Sequence, residues 1–404
     1  LKPYTSDMTL YDQEKPARWV KERQKLHLPF YGFDRVHLCS GHGDMVGADY
    51  PHWLRDKGQD PDKLRGRDNA RPSDHVAPQA WRTSVPEELY PTSYVRDHAI
   101  QCLEEWSAEG GDDPFFLMLS FPDPHHPFTP PGKYWDMYSP DQVELPASFH
   151  SDRPNVANAA DLARATEDNN PNFDRDRTMV FLRVDEREAK EAIALTCGMI
   201  TMIDDALADV VQKLKDLDQF DNTVIVFTAD HGDFLGDHGL ILKGPLHLQA
   251  TIKVPFIWSD PAANGAAGST LSSLASTIDI GPTILHRAGL GAYNGVQGRT
   301  LLTDMETGAD TGPGDIVVEE ESQHASLGIP APIQVRSMVT ERWRMTLYGK
   351  SELAELYDLE NDPSELRNLW DDPDYADVKA EMLERMVRRS IDHVDRSPLP
   401  LNMA

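Results

Sequence analysis

The chain of 404 residues carries 39 Lys and Arg against 67 Asp and Glu, a formal net charge of −28 at pH 7. Its 40% hydrophobic and 26% charged residues fit a globular protein with a sizeable core and exclude a disordered one. The acidic balance also excludes bulk neutralisation of a phosphate backbone and attraction to an anionic membrane, so neither nucleic acid nor membrane is expected as a partner. A small anionic substrate stays open where local positive charge overcomes the global field. Three scattered cysteines, Cys39, Cys102 and Cys197, are too few for a disulfide framework or a zinc ribbon, and favour a cytoplasmic location. No apolar run approaches the roughly 20 residues that span a bilayer, and no signal peptide is visible.

Residues 1–30 are polar, and the first strand signal comes at Tyr31–Leu38. The Asp-, Arg- and Pro-rich stretch Pro51–Pro91 reads as a surface excursion with short helices. Tyr94, Ala99, Leu103 and Trp106 have helical spacing, ended by Asp112-Asp113-Pro114. Phe115–Ser120 (FFLMLS) is a continuous apolar run, as expected of a strand buried on both faces. Six prolines within Pro122–Pro140 exclude a helix there, and Pro140–Glu188 reads as an acidic insertion over a surface. From Ala192 to Leu217 the residues Met199, Ile200, Ile203, Leu207, Val210, Val211, Leu214 and Leu217 predict one long amphipathic helix. Strands are expected at Thr223–Thr228, Val254–Trp258 and Ile316–Val318. Strands separated by helices imply an α/β fold with a mostly parallel sheet sandwiched by helices. Past residue 330 the pattern changes. Val335–Thr340 and Trp343–Tyr348 alternate around Glu341-Arg342 as an antiparallel hairpin, and a helix follows over Tyr375–Ile391 with Val378, Met382, Met386 and Val387 on one face. The division expected is therefore 1–329 as the α/β domain and 330–404 as a small α+β subdomain with an antiparallel sheet.

Thr228-Ala229-Asp230-His231-Gly232-Asp233 directly follows a strand. Ligands of open α/β sheets bind beyond the carboxyl ends of strands, and a carboxylate beside an imidazole suits a divalent cation. The same residues also read as a helix cap and a surface histidine, and two adjacent ligands do not complete a site. Lys243 lies twelve residues beyond His231, after Gly236-Asp237-His238-Gly239-Leu240. A lysine beside a metal can neutralise an anionic ester oxygen; as an isolated feature it is a solvated side chain. Pro124-His125-His126-Pro127 again follows a strand signal, and the flanking prolines would hold the imidazoles stiffly. Asp204-Asp205 on the long helix point about 100° apart and read as solvated or capping groups. Gly41-His-Gly-Asp-Met-Val-Gly47 lacks dinucleotide-fingerprint spacing, so His42 and Asp44 read as loop residues with metal ligation as the alternative. Neither a G-x-S-x-G elbow nor a Walker loop occurs.

Three segments carry a resemblance: Phe121-Pro-Asp-Pro-His-His-Pro-Phe-Thr-Pro-Pro131, Val226-Phe-Thr-Ala-Asp-His-Gly-Asp-Phe-Leu-Gly-Asp-His-Gly239 with Lys243, and Leu356-Tyr-Asp-Leu-Glu-Asn-Asp-Pro-Ser-Glu-Leu-Arg-Asn368. Together they resemble the sulfatases of the alkaline-phosphatase superfamily. Tyr31-Gly-Phe-Asp34 and Ser276-Thr-Ile-Asp-Ile-Gly-Pro-Thr283 resemble further landmarks of that family, in its order. The resemblance implies an alkaline-phosphatase-like fold and a metal-dependent sulfuric-ester hydrolase acting on a small anionic ester. It implies Asp230 and His231 as metal ligands, with calcium expected ahead of manganese or magnesium. His125 and Lys243 would bind the ester's non-bridging or leaving oxygens, and His238 would be a weaker substrate-side group. Histidine at His231, where many sulfatases carry asparagine, resembles the phosphonate monoester hydrolase and choline-sulfatase-like branches and adds phosphonate monoesters and phosphodiesters as alternatives.

The family's nucleophile is a formylglycine made within C/S-x-P-x-R, and Cys39-Ser-Gly-His, Cys102-Leu-Glu-Glu and Cys197-Gly-Met-Ile do not fit it. The resemblance therefore implies that Leu1-Lys2-Pro3-Tyr4 starts just after the family's Gly-Lys-x-His segment, with the formylglycine, two ligands and any leader peptide in a preceding part. A periplasmic or secreted location is then the alternative to the cytoplasm, and a truncated, inactive sulfatase-like chain the alternative to an enzyme. An open sheet so shortened leaves an edge that an oligomeric contact would cover.

Overall fold

One long helix and one four-stranded sheet dominate the structure, a computed structural model that describes residues 13, 15–111, 113–150, 167–168, 173–263, 268–322, 329 and 331–393. Contacts divide the chain into two units. The first comprises residues 1–145, 174–178 and 184–222; the second comprises 146–173, 179–183 and 223–404.

In the first unit, helices α1 (Tyr50–Asp56), α2 (Pro91–Ala108) and α3 (Glu186–Asp216) supply the frame. α3 starts six residues earlier than its apolar periodicity, because its start is set by polar capping. Asp185 Oδ1 accepts the Glu188 N–H at 2.9 Å while Glu188 Oε2 accepts the Asp185 N–H at 3.0 Å. Met199, Met202, Ile203, Ala206, Val210 and Leu214 form the buried stripe, whereas Ile200 is 49% exposed and lies off it. Asp205, expected as a solvated or capping group, accepts the Tyr134 hydroxyl at 2.6 Å and so ties α3 to the Gly132–Tyr134 turn.

The 51–91 stretch is not a surface excursion throughout. Trp53 and Leu54 join Val46, Tyr50 and Tyr94 in one core cluster, and Val85 and Tyr90 join Tyr134 and Met202 in another. Aromatic side chains spaced among prolines and charges give no periodic signal, yet each buries a large area. The Tyr31–Leu38 region holds only an isolated bridge between Phe30 and Phe33. Phe115–Ser120 belongs to no strand, and Phe116 and Met118 are 63% and 64% exposed. An apolar run is buried on both faces only where neighbouring strands and covering layers flank it.

In the second unit, β1 (Ile225–Thr228) and β2 (Phe256–Ser259) pair antiparallel, with Thr228 opposite Phe256. A parallel pairing was expected. It requires a crossover that carries the chain back to the start of the first strand, normally through a helix. Here residues 229–255 hold loops, two short helical turns, Asp237–Gly239 and Gln249–Ile252, and a two-residue strand, Leu240–Ile241, and return the chain beside the end it left without a crossover helix. Helices α4 (Ile280–Arg287) and α5 (Leu302–Thr307) follow. Strands β3 (Asp315–Ser322), β4 (Ile333–Thr340), β5 (Trp343–Tyr348) and β6 (Ala354–Asp358) then form an antiparallel sheet in the order β6-β5-β4-β3. The expected hairpin is β4–β5, with Met338 opposite Met345, and the expected strand at Ile316–Val318 is β3 of this same sheet.

The α/β class and the C-terminal antiparallel sheet thus stand, while the ladders among the described strands are antiparallel. One face of the sheet packs with α6 (Ala376–Asp392) through Met338, Met345, Leu356, Met382 and Met386. Val387, expected on that face, is 60% exposed. The other face packs Ile333, Val335 and Tyr348 against Phe181, Phe234, Leu240, Leu246 and Leu248. The loop that carries the sequence motif is therefore built on the C-terminal sheet. Of the expected insertion at 140–188, residues 151–166 and 169–172 lie outside the described residues. Among the described residues no helix is long and apolar enough to cross a membrane.

Candidate active site

The strand β1 delivers Asp230 and His231 to an open turn. Their side chains are 86% and 41% exposed. Asp230 Oδ1 accepts the His231 N–H at 2.9 Å, and His231 Nδ1 lies 2.7 Å from the Gly232 carbonyl. The remaining polar atoms, Asp230 Oδ2 and His231 Nε2, sit 3.7 Å apart. Beneath the turn, the Gly232 N–H bonds the Thr251 carbonyl at 2.8 Å, and a Cβ on Gly232 would lie 1.9 Å from the Ala250 carbonyl oxygen. Only glycine permits so close an approach of two backbones.

Lys243 follows a tight return. The backbone pairs Phe234 with Leu242 and Gly236 with Leu240, while Gly236 and His238 adopt positive φ of 95° and 58°. Burial pushes the Lys243 ammonium down to about 8, against the opposing pull of Asp233 and Asp230. Burial pushes the Asp233 carboxyl up to about 7, although it accepts the Leu235 and Leu242 N–H groups at 3.0 and 2.9 Å and faces Lys243. His238 is buried; its N–H bonds Ser148 Oγ at 3.0 Å, and its Nδ1 finds no hydrogen-bond partner among the described residues. Asp230, His231, Asp233 and Lys243 are thus one electrostatic group in the second unit, with a poised ammonium at its inner end.

His125 belongs to the first unit. Its ring stacks on His42 with centroids 3.3 Å apart and lies 3.9 Å from the His126 ring, and its Nδ1 bonds the His126 carbonyl. The segment is fixed from below: the Asp123 carboxyl is buried, lying 3.5 Å from the Tyr90 hydroxyl and 3.4 Å from Thr92 Oγ1. Burial pushes Asp123 up to about 7. Asp44 is fully buried; its Oδ2 accepts from the Gly66 N–H, Trp81 Nε1 and Thr83 Oγ1, while its Oδ1 has no hydrogen-bond partner among the described residues.

The donor chemistry at the turn suits a hard or borderline cation, since one carboxylate oxygen and one imidazole nitrogen face each other within bridging reach. Two donors are short of the four to eight such ions take. Among the described residues no group of three or more His, Cys, Asp or Glu side chains could hold a metal ion. Asp230 and His231 by themselves therefore do not make a complete ligand set.

Residues 41–290 match the family model described as Sulfatase, and residues 236–392 match the model described as N-sulphoglucosamine sulphohydrolase, C-terminal. The chain belongs to the sulfatase family. It is 27% identical to an arylsulfatase of Clostridium perfringens over 85% of this chain and 66% of that protein. It is 28% identical to the multifunctional alkaline phosphatase superfamily protein PehA of Trinickia caryophylli, over 78% of this chain and 62% of that one. The phosphonate monoester hydrolase of Agrobacterium radiobacter superposes with a TM-score of 0.74 at 25% identity, covering 92% of this chain and 73% of that chain. The match thus spans less than two thirds of the length of each of the first two relatives.

In this sulfatase-family chain the structure brings Asp230, His231 and Lys243 together, with His238 on the return between them, and sets His125 in the other unit. Asp233 and Asp123 are the groups that residue reading passed over. Both stood inside quoted motifs without a role, because nothing in a sequence marks which carboxylate of an acidic run turns inward. The three cysteines are free and half-buried, and burial pushes the Cys39 thiol up to about 11, far from the reactive range.

Proposed function

We propose that this chain carries the leaving-group half of a sulfate-ester hydrolase centre. The observation that supports it most is the Lys243 ammonium, desolvated to about 8 and within electrostatic reach of Asp230. A cation so placed is mostly protonated near neutrality and is held in a partly dry setting, where it stabilises negative charge strongly and can release a proton to a departing oxygen. It also supplies the local positive charge that a small anionic ester needs on a chain of net charge −28. Asp233 lies within electrostatic reach of the Lys243 ammonium. By the family resemblance His125 is assigned to the ester's non-bridging or leaving oxygens, and His238 is a weaker substrate-side candidate.

Asp230 and His231 are assigned as two ligands of one divalent cation, with calcium ahead of manganese and magnesium. Bound there, the ion would supply Lewis-acid polarisation of the ester oxygens. A second reading, hydrolysis of phosphonate monoesters or phosphodiesters, draws support from the likeness to the Agrobacterium radiobacter phosphonate monoester hydrolase and from histidine at position 231.

The test is hydrolysis of a series of aryl sulfates and aryl phosphonates of graded leaving-group pKa. Lys243→Ala should lose most on the poorest leaving groups, by about 100-fold, and least on the best. An equal loss across the series removes Lys243 from the leaving-group role. Asp230→Ala should abolish the cation-dependent rate. The protein as its native gene expresses it, if it turns over neither series, retires both readings in favour of an inactive sulfatase-like chain.

A further inference from the structure

Outside the loops described so far, buried polar groups of the second unit gather on one face of the C-terminal sheet. His247 is 3% exposed, with Nδ1 2.9 Å from Ser337 Oγ on β4 and Nε2 3.3 Å from Glu320 Oε2 on β3. Ser337 Oγ lies 2.6 Å from Thr346 Oγ1 on β5. Fully buried Arg344 donates to Thr346 Oγ1 at 2.6 Å, to Glu355 at 3.2 Å and to Glu365, and its guanidinium lies over the Tyr357 ring. The second oxygen of Glu365 accepts the Gln249 N–H at 2.7 Å.

The Ser337–His247–Glu320 order invites a triad reading. Ser337 is 0% exposed, and its hydroxyl is engaged by His247 and Thr346, so no substrate carbonyl reaches it. The network instead has two contacts with one short segment. His247 and Gln249 stand four and six residues beyond Lys243, and the Gln249–Ile252 turn provides the Thr251 carbonyl that holds Gly232, next to His231. Leu246 and Leu248, which alternate with them, pack into the apolar cluster on the same sheet face. Both ring nitrogens of His247 have partners, while Arg344 Nη2 has none among the described residues; buried polar links of this kind select one arrangement where apolar packing alone would accept several.

We propose that His247 and Glu365 are positioning residues, through which the C-terminal sheet fixes Lys243 and the Asp230–Gly232 turn in a single arrangement. As a statement about the site, this rests on the function proposed above; as a statement about the loop, it does not.

Hydrogen–deuterium exchange resolved to single amides, on the full chain and its variants, tests it. His247→Ala should speed exchange of the Gly232 and Thr251 amides by about tenfold or more, the loss expected from one buried hydrogen-bonded anchor. His247→Gln keeps a donor and an acceptor and should restore both amides to within about threefold of the parent. Ser337→Ala removes only the partner hydroxyl and should accelerate the same amides less, which keeps the idea exposed should His247→Ala fail to fold. Met382→Ala hollows the opposite face of the sheet and should leave both amides at the parent rate while lowering global stability. Parent-like exchange in both His247→Ala and Ser337→Ala, or equal acceleration in Met382→Ala, overturns the proposal. Ester turnover by the protein as its native gene expresses it is a separate readout: none at all defeats the hydrolase reading and leaves the exchange result to decide the anchor.

Discussion

Two loops carry the residues assigned to ester chemistry, and they are stiffened in different ways. In the first unit, residues 123–131 are fixed by side chains: Asp123, His126, Phe128 and Thr129 are buried, with Tyr90 and Thr92 around the carboxyl. In the second unit, Asp230 and His231 are open to solvent, and what lies under them is backbone, the Thr251 carbonyl and the Ala250 peptide. Burial tolerates no empty volume, whereas backbone support tolerates no added volume. The first kind of support suits a group that must stay put. The second leaves donor atoms exposed yet oriented, which is what a ligand from solvent requires.

The largest effects should come from adding a methyl group where backbones meet. Gly232→Ala places Cβ 1.9 Å from a backbone oxygen and should cost on the order of 3 kcal/mol, a fall in melting temperature of roughly 6 °C or more. Gly43→Ala, at φ +53° and 2.8 Å from Pro127 Cγ, should cost about 2 kcal/mol through the first loop. If Gly232→Ala melts like the parent, the backbone support is not rigid and the contrast between the loops fails.

A smaller effect separates the two buried carboxyls by pH. Asp233 and Asp123 are both raised from 3.8 to about 7 by burial. Between these values the folded chain keeps protons that the unfolded chain has released. Stability from each group is therefore fully present below the unfolded value and is lost as pH rises toward 7. Asp233→Asn and Asp123→Asn should each flatten the fall in melting temperature between pH 4 and 7, leaving the part due to Asp44 and Glu365, which burial also raises. An unchanged pH profile in Asp233→Asn would mean its carboxyl is ionised beside Lys243 throughout. The smallest effect expected is Tyr90→Phe, which removes a hydroxyl 2.9 Å from Thr129 Oγ1 and should cost about 1 kcal/mol by chemical denaturation. A loss near zero would show that Asp123 is held by Thr92 alone.

Much of this was written in the chain itself. Helical spacing located α2 and α3, strict alternation located the β4–β5 hairpin, and the TADHGD run after an apolar strand located the open turn with Lys243 beyond it. These are local signals: period 3.6, period 2, and turn chemistry, each complete within a few residues. Tertiary structure decided the rest. The β1–β2 pairing is antiparallel because residues 229–255 never build a crossover helix. Phe115–Ser120 reads as a core strand, yet Phe116 and Met118 are open, since burial belongs to neighbours and not to composition. Asp233 and Asp123 resemble any other acid in a chain with 67 of them until folding removes their water. His247 lies in an unremarkable Leu-His-Leu run, and its partners Ser337 and Glu320 are 90 and 73 residues away. Periodicity is a property of neighbours in sequence; desolvation and hydrogen bonding are properties of neighbours in space, which the sequence specifies only through the whole fold.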